Sequence, residues 1–382
     1  MRKSKKVPSS KLQKNVLKYI KEKGPISRKK LAEIFNVSQA TITTITNYLI
    51  EKNLIYEKGE GKSNKKGGRK PIYLETNSKK GYLMSIDIGS YQIKGVISNL
   101  NEEILKKEIE KTDEKDTVNQ VIEFSKRLAD EYKEKIIGVC IGLPGIADIE
   151  KGISVFSANL PSINNVNFKN IFKKEYKVLV KVVNSSILNI IGEYKEKSRI
   201  LNLIWGNGIG AAFLLSEKEI LAGKEKARID FGHITYRKNG KLCRCGKRGC
   251  LESYVGCFAI VDDIKKITKK EVDIEEIFKT ANENEKVRKI LKEKAYIVGK
   301  FLSFPIQYFS PEEIVLSGGF ILNGGPFLIE NIKKGIYDSI DESDYKKLKF
   351  RISNDVYIGC IGGIKFLIEE LFNNHFISLI QF

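Results

Sequence analysis

Apolar residues recur at helical spacing in three segments of the first fifty positions, 11–23, 28–34 and 39–50. Gly24-Pro25 ends the first segment, and Ser27 and Ser38 stand where the N-caps of the second and third helices belong. The turn 35–37 joins those two helices, which is typical of a helix-turn-helix motif. We expect the third helix to direct its apolar side chains inward: Ile42, Ile45, Leu49 and Ile50.

The opposite face of the third helix is small and polar. Amide and hydroxyl side chains there can donate to and accept from base edges, and threonine methyl groups can contact thymine. The pattern therefore predicts a recognition helix that enters the major groove of double-stranded DNA. The residues expected to contact DNA are Ser38, Gln39, Thr41, Thr43, Thr44 and Asn47.

Two strand-like stretches, 54–57 and 71–75, follow the third helix. The segment KGEGKSNKKGGRK separates them and contains six basic residues, one acidic residue and four glycines. A glycine-rich basic hairpin beside a helix-turn-helix motif predicts the wing of a winged helix. We expect Lys65 and Lys66 to contact phosphates and Arg69 to enter a narrow minor groove.

Beyond a short linker at 76–80, the pattern changes to apolar strands joined by glycine-rich turns. Strand 82–88 runs into the turn Gly89-Ser90-Tyr91-Gln92 and returns, and strand 200–205 does the same around 206–210. This repetition predicts an internally duplicated, two-lobed α/β fold. The backbone N–H groups of such turns can surround a phosphate, although a single turn of this kind is more often an ordinary hairpin.

The charge distribution separates the two parts of the chain. The 382 residues carry a net charge of +20, but 21 basic and 6 acidic residues in the first 80 account for +15 of it. Such asymmetry favours a polyanion-binding module attached to a nearly neutral body. A small helical domain with a solvated lysine-rich surface is the alternative; the third helix, the wing and the charge together favour DNA binding.

The apolar runs are shorter than the roughly 18 residues that a membrane span requires. The basic N-terminal segment also lacks the apolar core of a secretory signal. We therefore expect a cytoplasmic protein that does not enter a membrane, in which the six cysteines are reduced or bound to metal.

One histidine and three cysteines lie within a short glycine-rich segment: His233, Cys243, Cys245 and Cys250. Their number and spacing match a closed Cys₃His site for a structural Zn²⁺ ion, which leaves no open position for catalysis. Free structural thiols are the alternative. The other cysteines stand in apolar contexts that are typical of buried thiols: Cys140, Cys257 and Cys360.

Small or amide residues follow three apolar stretches, at Gly142-Leu-Pro-Gly145, Ser157-Ala-Asn159 and Val182-Val-Asn184. The ends of strands are where α/β sheets present their ligand sites, and amide side chains suit hydroxyl-rich ligands. Taken alone, any one of these motifs is better explained by ordinary loop and cap chemistry.

These motifs, in this order, resemble the ROK family of sugar kinases and sugar-responsive repressors over essentially the whole chain. The most specific match is the segment from Gly232-His233 to Glu252. The resemblance implies an N-terminal winged helix-turn-helix followed by a two-lobed, actin-like, hexokinase-type ATPase fold, in homodimers or higher oligomers. It also implies sugar contacts from Gly145, Asn159, Asn184, Asp230, His233 and Glu252. His233 would serve both zinc and sugar, and Asp230 stands where the family usually has glutamate.

Departures from the kinase pattern concern the catalytic base and the phosphate turns. Kinases of the family carry Asn-Asp-Ala-Asn, whose aspartate accepts the proton of the sugar hydroxyl, and here that position is Ser185. The usual Gly-Gly-Thr-Lys turn has Tyr91 and Gln92 in its second half, and Asn207 replaces the threonine of the second turn. We therefore predict a sugar sensor that is not an enzyme.

The leading hypothesis is a sugar-responsive transcriptional repressor that binds an inverted repeat as a dimer and a xylose- or glucose-like monosaccharide in its cleft. The rival is an ATP-dependent sugar kinase with an appended DNA-binding domain. A constitutive DNA-binding protein with a vestigial body is a third hypothesis. The predicted division is a DNA-binding domain at 1–75, a linker at 76–80, a first lobe at 81–198 and a second lobe at 199–382, whose C-terminal helix returns to the first lobe.

Overall fold

The computed structural model describes residues 10–51, 54–60, 70–78, 81–194, 199–216, 219–221 and 231–371. Its N-terminal part is a winged helix in which a three-stranded antiparallel sheet, ordered β1-β3-β2, packs beside three helices. The elements are α1 (Ser10–Lys23), β1 (Ile26–Ser27), α2 (Arg28–Ile34), α3 (Gln39–Glu51), β2 (Ile55–Glu60) and β3 (Ile72–Thr76).

Both predicted helix caps are present. Ser27 Oγ accepts the backbone N–H of Lys30 at 3.3 Å, and Ser38 Oγ accepts that of Thr41 at 3.1 Å, which satisfies N–H groups that lack a partner in the first helical turn. The apolar face of α3 is fully buried at Ile42, Ile45 and Leu49, as predicted, but Ile50 is only half-buried.

The first lobe is built on a five-stranded sheet of order β11-β7-β4-β5-β6, with a small second sheet of order β10-β9-β8. Its elements are β4 (Tyr82–Ile88), β5 (Gln92–Asn99), β6 (Ile104–Lys111), α4 (Thr117–Ala129), β7 (Ile136–Leu143), β8 (Ile146–Asp148), β9 (Ile153–Phe156), β10 (Val166–Asn167), α5 (Phe168–Tyr176), β11 (Leu179–Asn184) and α6 (Ser185–Glu193).

The second lobe is built on a five-stranded sheet of order β14-β13-β12-β15-β16. Its elements are β12 (Ile200–Trp205), β13 (Ile209–Ser216), β14 (Glu219–Leu221), α7 (Glu252–Val255), α8 (Cys257–Thr268), α9 (Ile277–Glu283), α10 (Glu285–Phe309), β15 (Glu313–Ser317), α11 (Gly319–Tyr337), α12 (Glu342–Tyr345), β16 (Lys349–Ile352) and α13 (Ile358–Glu370). The last helix, α13, packs on β4 and β7 of the first lobe.

The two large sheets repeat one plan. In each, three antiparallel strands are followed by two strands that add in parallel beside the first: β7 and β11 in one lobe, β15 and β16 in the other. The predicted glycine-rich turns connect the first two strands of each sheet. The fold class predicted from the sequence is confirmed. Among the described residues, no helix is long and apolar enough to cross a membrane.

Candidate functional site

A cavity of about 560 Å³ lies between the lobes and is lined by both glycine-rich turns. Parallel strands place their carboxyl ends at one edge of a sheet, and the two facing sheets thereby bring distant loops together. Five of the predicted sugar contacts line this cleft: Gly145, Asn159, Asn184, His233 and Glu252. The sixth, Asp230, lies outside the described residues.

Glu252 connects the two lobes inside the cleft. Its Oε1 accepts the side-chain amide of Asn159 from the first lobe at 3.1 Å, and its Oε2 accepts the backbone N–H of Ile209 at 3.0 Å. A Cβ on Gly208 would lie 2.4 Å from Glu252 Oε2, so glycine allows the second turn to approach the carboxylate. Glu252 is therefore held by donors from both sides of the cleft.

Asn184 is fixed from both ends of its amide. Its Oδ1 accepts the N–H of Ser186 at 2.8 Å and caps α6, while its Nδ2 donates to the carbonyl of Gly145 at 2.6 Å. Gly145 has a φ of +85°, and a Cβ there would lie 2.2 Å from the carbonyl oxygen of Phe156. Only glycine fits this turn, which places the Asn184 amide at the cleft wall.

The wall of the cleft and its two glycine-rich turns are also bonded within the protein. Ser185 Oγ, at the kinase-base position, donates to Asp87 Oδ1 at 2.6 Å. Asn207 Nδ2 of the second turn donates to Ser90 Oγ of the first at 3.3 Å, which joins the lobes. Asp87 is not among the residues predicted for the site, although an acidic residue next to a glycine turn at the end of a buried strand is a signal for one.

The predicted DNA-contacting face of α3 points to solvent. Gln39, Thr43 and Asn47 are exposed at four-residue spacing, and Ser38 is exposed before them, whereas Thr41 and Thr44 are half-buried. The hydroxyls of Thr43 and Thr44 donate to carbonyls of their own helix, so each keeps lone pairs and a methyl group for a base. The predicted wing contacts, Lys65, Lys66 and Arg69, lie outside the described residues.

The four predicted metal ligands converge beside the cleft. The ligand atoms of His233, Cys243, Cys245 and Cys250 all lie within 4.8 Å of one another. His233 Nδ1 is 3.7 Å from Cys243 Sγ, and Cys245 Sγ is 3.7 Å from Cys250 Sγ. Two thiolates on one tetrahedral zinc ion, with Zn–S bonds of about 2.3 Å, lie about 3.8 Å apart. The group can therefore hold a metal ion.

Contacts from the helices hold the ligand loop in place. Asp263 of α8 accepts Lys241 Nζ of the loop at 3.2 Å and Lys294 Nζ of α10 at 2.7 Å. Burial lowers the pKa of Lys294, and the adjacent Asp263 carboxylate opposes that shift. The guanidinium of Arg244 lies 3.3 Å from the ring centre of Phe258, which pins the loop on α8.

Comparison with known proteins gives the relationship of both parts of the chain. Residues 10–59 match the sequence profile of the MarR family, and residues 83–355 match that of the ROK family. The chain belongs to the ROK family. Its relatives include the xylose repressor of Caldicellulosiruptor bescii, which is 28% identical over 376 residues that cover 91% of this chain and 93% of that protein.

Solved ROK structures share the fold. A ROK family transcriptional regulator, a homologue of the Escherichia coli MLC protein, superposes with a TM-score of 0.79 at 23% identity and covers 97% of this chain and 99% of its own. A ROK glucokinase from Streptomyces griseus, solved with glucose and AMPPNP, superposes with a TM-score of 0.65 at 19% identity, covering 75% of this chain and 99% of its own. The ROK fold thus occurs in a regulator and in an enzyme, so the residues of the cleft must decide between these functions.

Proposed function

We propose that this ROK protein is a sugar-responsive transcriptional repressor whose body binds a monosaccharide without phosphorylating it. The observation that carries the proposal is the combination, in one chain, of a recognition helix with an exposed polar face and a cleft with serine at the kinase-base position. The similarity to the xylose repressor of Caldicellulosiruptor bescii supports the same function and favours a xylose- or glucose-like effector.

The sugar would lie beside Glu252. The Asn159–Glu252 hydrogen bond is a donor–acceptor pair of the kind that a sugar hydroxyl can join or replace. We propose contacts from the six residues predicted by the resemblance, with His233 Nε2 directed to the sugar because its Nδ1 faces Cys243. Carboxylate and amide groups held in place before binding lose little conformational entropy when the ligand arrives.

The residue at the position predicted for the kinase base is not suited to phosphoryl transfer. A serine hydroxyl does not accept a proton near neutral pH without a partner, and Ser185 already donates its own proton to Asp87. The bond between Ser90 and Asn207 also joins the tips of the two turns where a phosphate would need their backbone N–H groups. These contacts support binding without catalysis.

We propose that the ligand group holds one structural Zn²⁺ through His233, Cys243, Cys245 and Cys250. Burial raises the pKa of the Cys243 thiol to about 12, so a stable thiolate there needs a cation beside it. Zinc binding would order the loop that ends two residues before Glu252. The ion would therefore support the sugar site through the residues that it orders.

Strand β5 offers a route from the cleft to the winged helix. It begins beside Ser90 and ends at Asn99, whose side chain accepts the N–H groups of Asn101 and Glu103 and so fixes the next turn. Glu102 of that turn forms an ion pair with Lys21 of α1 at 2.5 Å. Lobe movement at Asn207 would thus displace one end of a rigid strand whose other end contacts the DNA-binding domain.

A homodimer would place two recognition helices on the half-sites of an inverted repeat. The long helix α10 presents Phe304 and Tyr308 with 54% and 81% of their surfaces exposed, and a second copy is the partner that we propose for them. Because the target is chromosomal DNA, we also propose that the protein acts in the cytoplasm.

Calorimetric titration of the purified chain with xylose, glucose and N-acetylglucosamine, and with their phosphates, tests the proposal. We expect saturable binding of one free sugar and no sugar-dependent ADP release in a coupled assay with ATP. Turnover that is lost in the Asn184→Ala variant would instead identify a kinase. Failure of every sugar in a broad panel to bind or to raise the melting temperature would favour a vestigial body.

A further inference from the structure

Arg28 contacts both the recognition helix α3 and the strand β2. Its Nε donates to Thr46 Oγ1 of α3 at 2.9 Å, and its Nη2 lies 3.5 Å from Asn47 Oδ1 and 2.8 Å from Glu57 Oε1 of β2. Only 20% of the Arg28 side chain is exposed. The planar guanidinium can donate in three directions at once, which the ammonium group of lysine cannot reproduce with the same geometry.

The partners of Arg28 lie where they can fix the position of α3 relative to β2. Thr46 is fully buried, and its hydroxyl also bonds to the carbonyl of Thr43 inside α3. Asn47 stands on the exposed face of the same helix. Glu57 precedes the irregularity in the β2–β3 pairing at Gly59, where the strand leaves regular register and leads into the glycine-rich wing segment.

We propose that Arg28 is a positioning residue that sets the angle between the recognition helix α3 and the strand β2, and thereby the ability to distinguish a specific DNA site from other DNA. The inference rests on the DNA-binding function proposed above. A direct phosphate contact by Arg28 is the competing role. Its guanidinium already lies against three protein oxygens, one of them a carboxylate, so little of its charge is directed outward.

The two roles predict different responses to substitution. Phosphate contacts supply affinity for all sequences, and their loss lowers the salt dependence of binding by about one ion. A changed angle between α3 and β2 lowers the affinity for the specific site and leaves binding to other DNA nearly unchanged. Arg28→Lys is decisive, because it keeps the charge and removes the three-way hydrogen bonding.

The experiment uses the full chain and two duplexes: one enriched from a random library by the wild-type protein, and a shuffled duplex of the same composition. We expect Arg28→Lys and Arg28→Gln to reduce the ratio of the two affinities roughly tenfold or more. Glu57→Gln should reproduce part of this loss, because it removes the ion pair between Arg28 and β2 while the contact between Arg28 and Thr46 remains. Lys29→Gln, which removes one exposed charge from the adjacent position, should lower both affinities and leave their ratio unchanged.

The outcomes separate this inference from the proposed function. If the wild-type protein enriches no specific duplex, the proposed DNA-binding function fails. If it enriches one, but Arg28→Lys binds both duplexes as the wild type does and Arg28→Gln weakens both equally, the positioning role is wrong. Equal melting temperatures of the wild type and Glu57→Gln would show that a loss of specificity in that variant does not reflect unfolding.

Discussion

The polar side chains of the cleft fall into two groups that are used differently. Glu252 accepts N–H groups from both lobes, and one of its donors is the amide of Asn159, a group that suits sugar hydroxyls. In the second group, Ser185 donates to Asp87 and Asn207 donates to Ser90, so these side chains bond the cleft wall and the two turns to one another. We propose that the first group binds the sugar and that the second group takes no part in phosphoryl transfer.

This difference suggests that the two groups have separate functions. Glu252 and Asn159 would set the sugar affinity, while the contact between the two glycine-rich turns would transmit lobe movement through β5 to α1. Each of the following substitutions tests one of these functions.

Removal of a metal ligand should have the largest effect. Cys245→Ser removes one of the four proposed zinc ligands from the loop before Glu252. We therefore expect a loss of roughly 4 kcal/mol in stability and no measurable sugar binding. Thermal unfolding and metal analysis would test this, with one zinc per chain expected in the wild type. Leu242→Ser, at an exposed position of the same loop, is the matched control and should behave as the wild type. Wild-type protein that carries no zinc would contradict the assignment.

Glu252→Gln should weaken sugar binding by about 100-fold. A glutamine at this position directs a donor NH₂ group at the Asn159 amide or the Ile209 N–H and removes a charge-assisted acceptor, a loss of about 2–3 kcal/mol. Calorimetry gives the affinity directly. Glu275→Gln, at another position that lines the cleft, should retain wild-type affinity. Similar losses in both variants would mean that the sugar does not lie where we place it.

Asn207→Ala should uncouple the two functions. Without the bond to Ser90, the lobes lose a side-chain contact at the start of β5. We therefore expect the sugar-induced change in DNA affinity to become roughly three to ten times smaller. Sugar affinity itself should change by less than about threefold. Lys21→Gln, at the far end of the same strand, should give the same phenotype. An undiminished sugar effect in both variants would rule out this route.

Ser185→Ala should have the smallest effect on sugar binding, below about threefold, because the Ser185 hydroxyl bonds to Asp87 and not to the residues proposed to contact the sugar. The variant leaves Asp87 Oδ1 without that donor, so a stability loss of about 1–2 kcal/mol is expected. Calorimetry and thermal unfolding measure the two quantities separately. A large loss of sugar affinity would place Ser185 in the sugar-binding site and contradict the separation of the two groups.

Local features of this chain could be predicted from the sequence, since they depend on residues close together along it. The caps Ser27 and Ser38, the exposed face of α3 and the convergence of the four metal ligands belong to this group. The bond between Ser185 and Asp87 joins residues 98 apart, and the Lys21–Glu102 pair joins residues 81 apart. Such contacts depend on sheet order and domain placement, which hydrophobic periodicity alone does not specify.

The most direct test of the central claim is the affinity of the full chain for its selected duplex, measured with and without saturating sugar and in the absence of ATP. We expect one free monosaccharide to change this affinity by about tenfold or more, as coupling between two sites requires. An affinity that no sugar alters, or that changes only when ATP is present and sugar phosphate is formed, would contradict it.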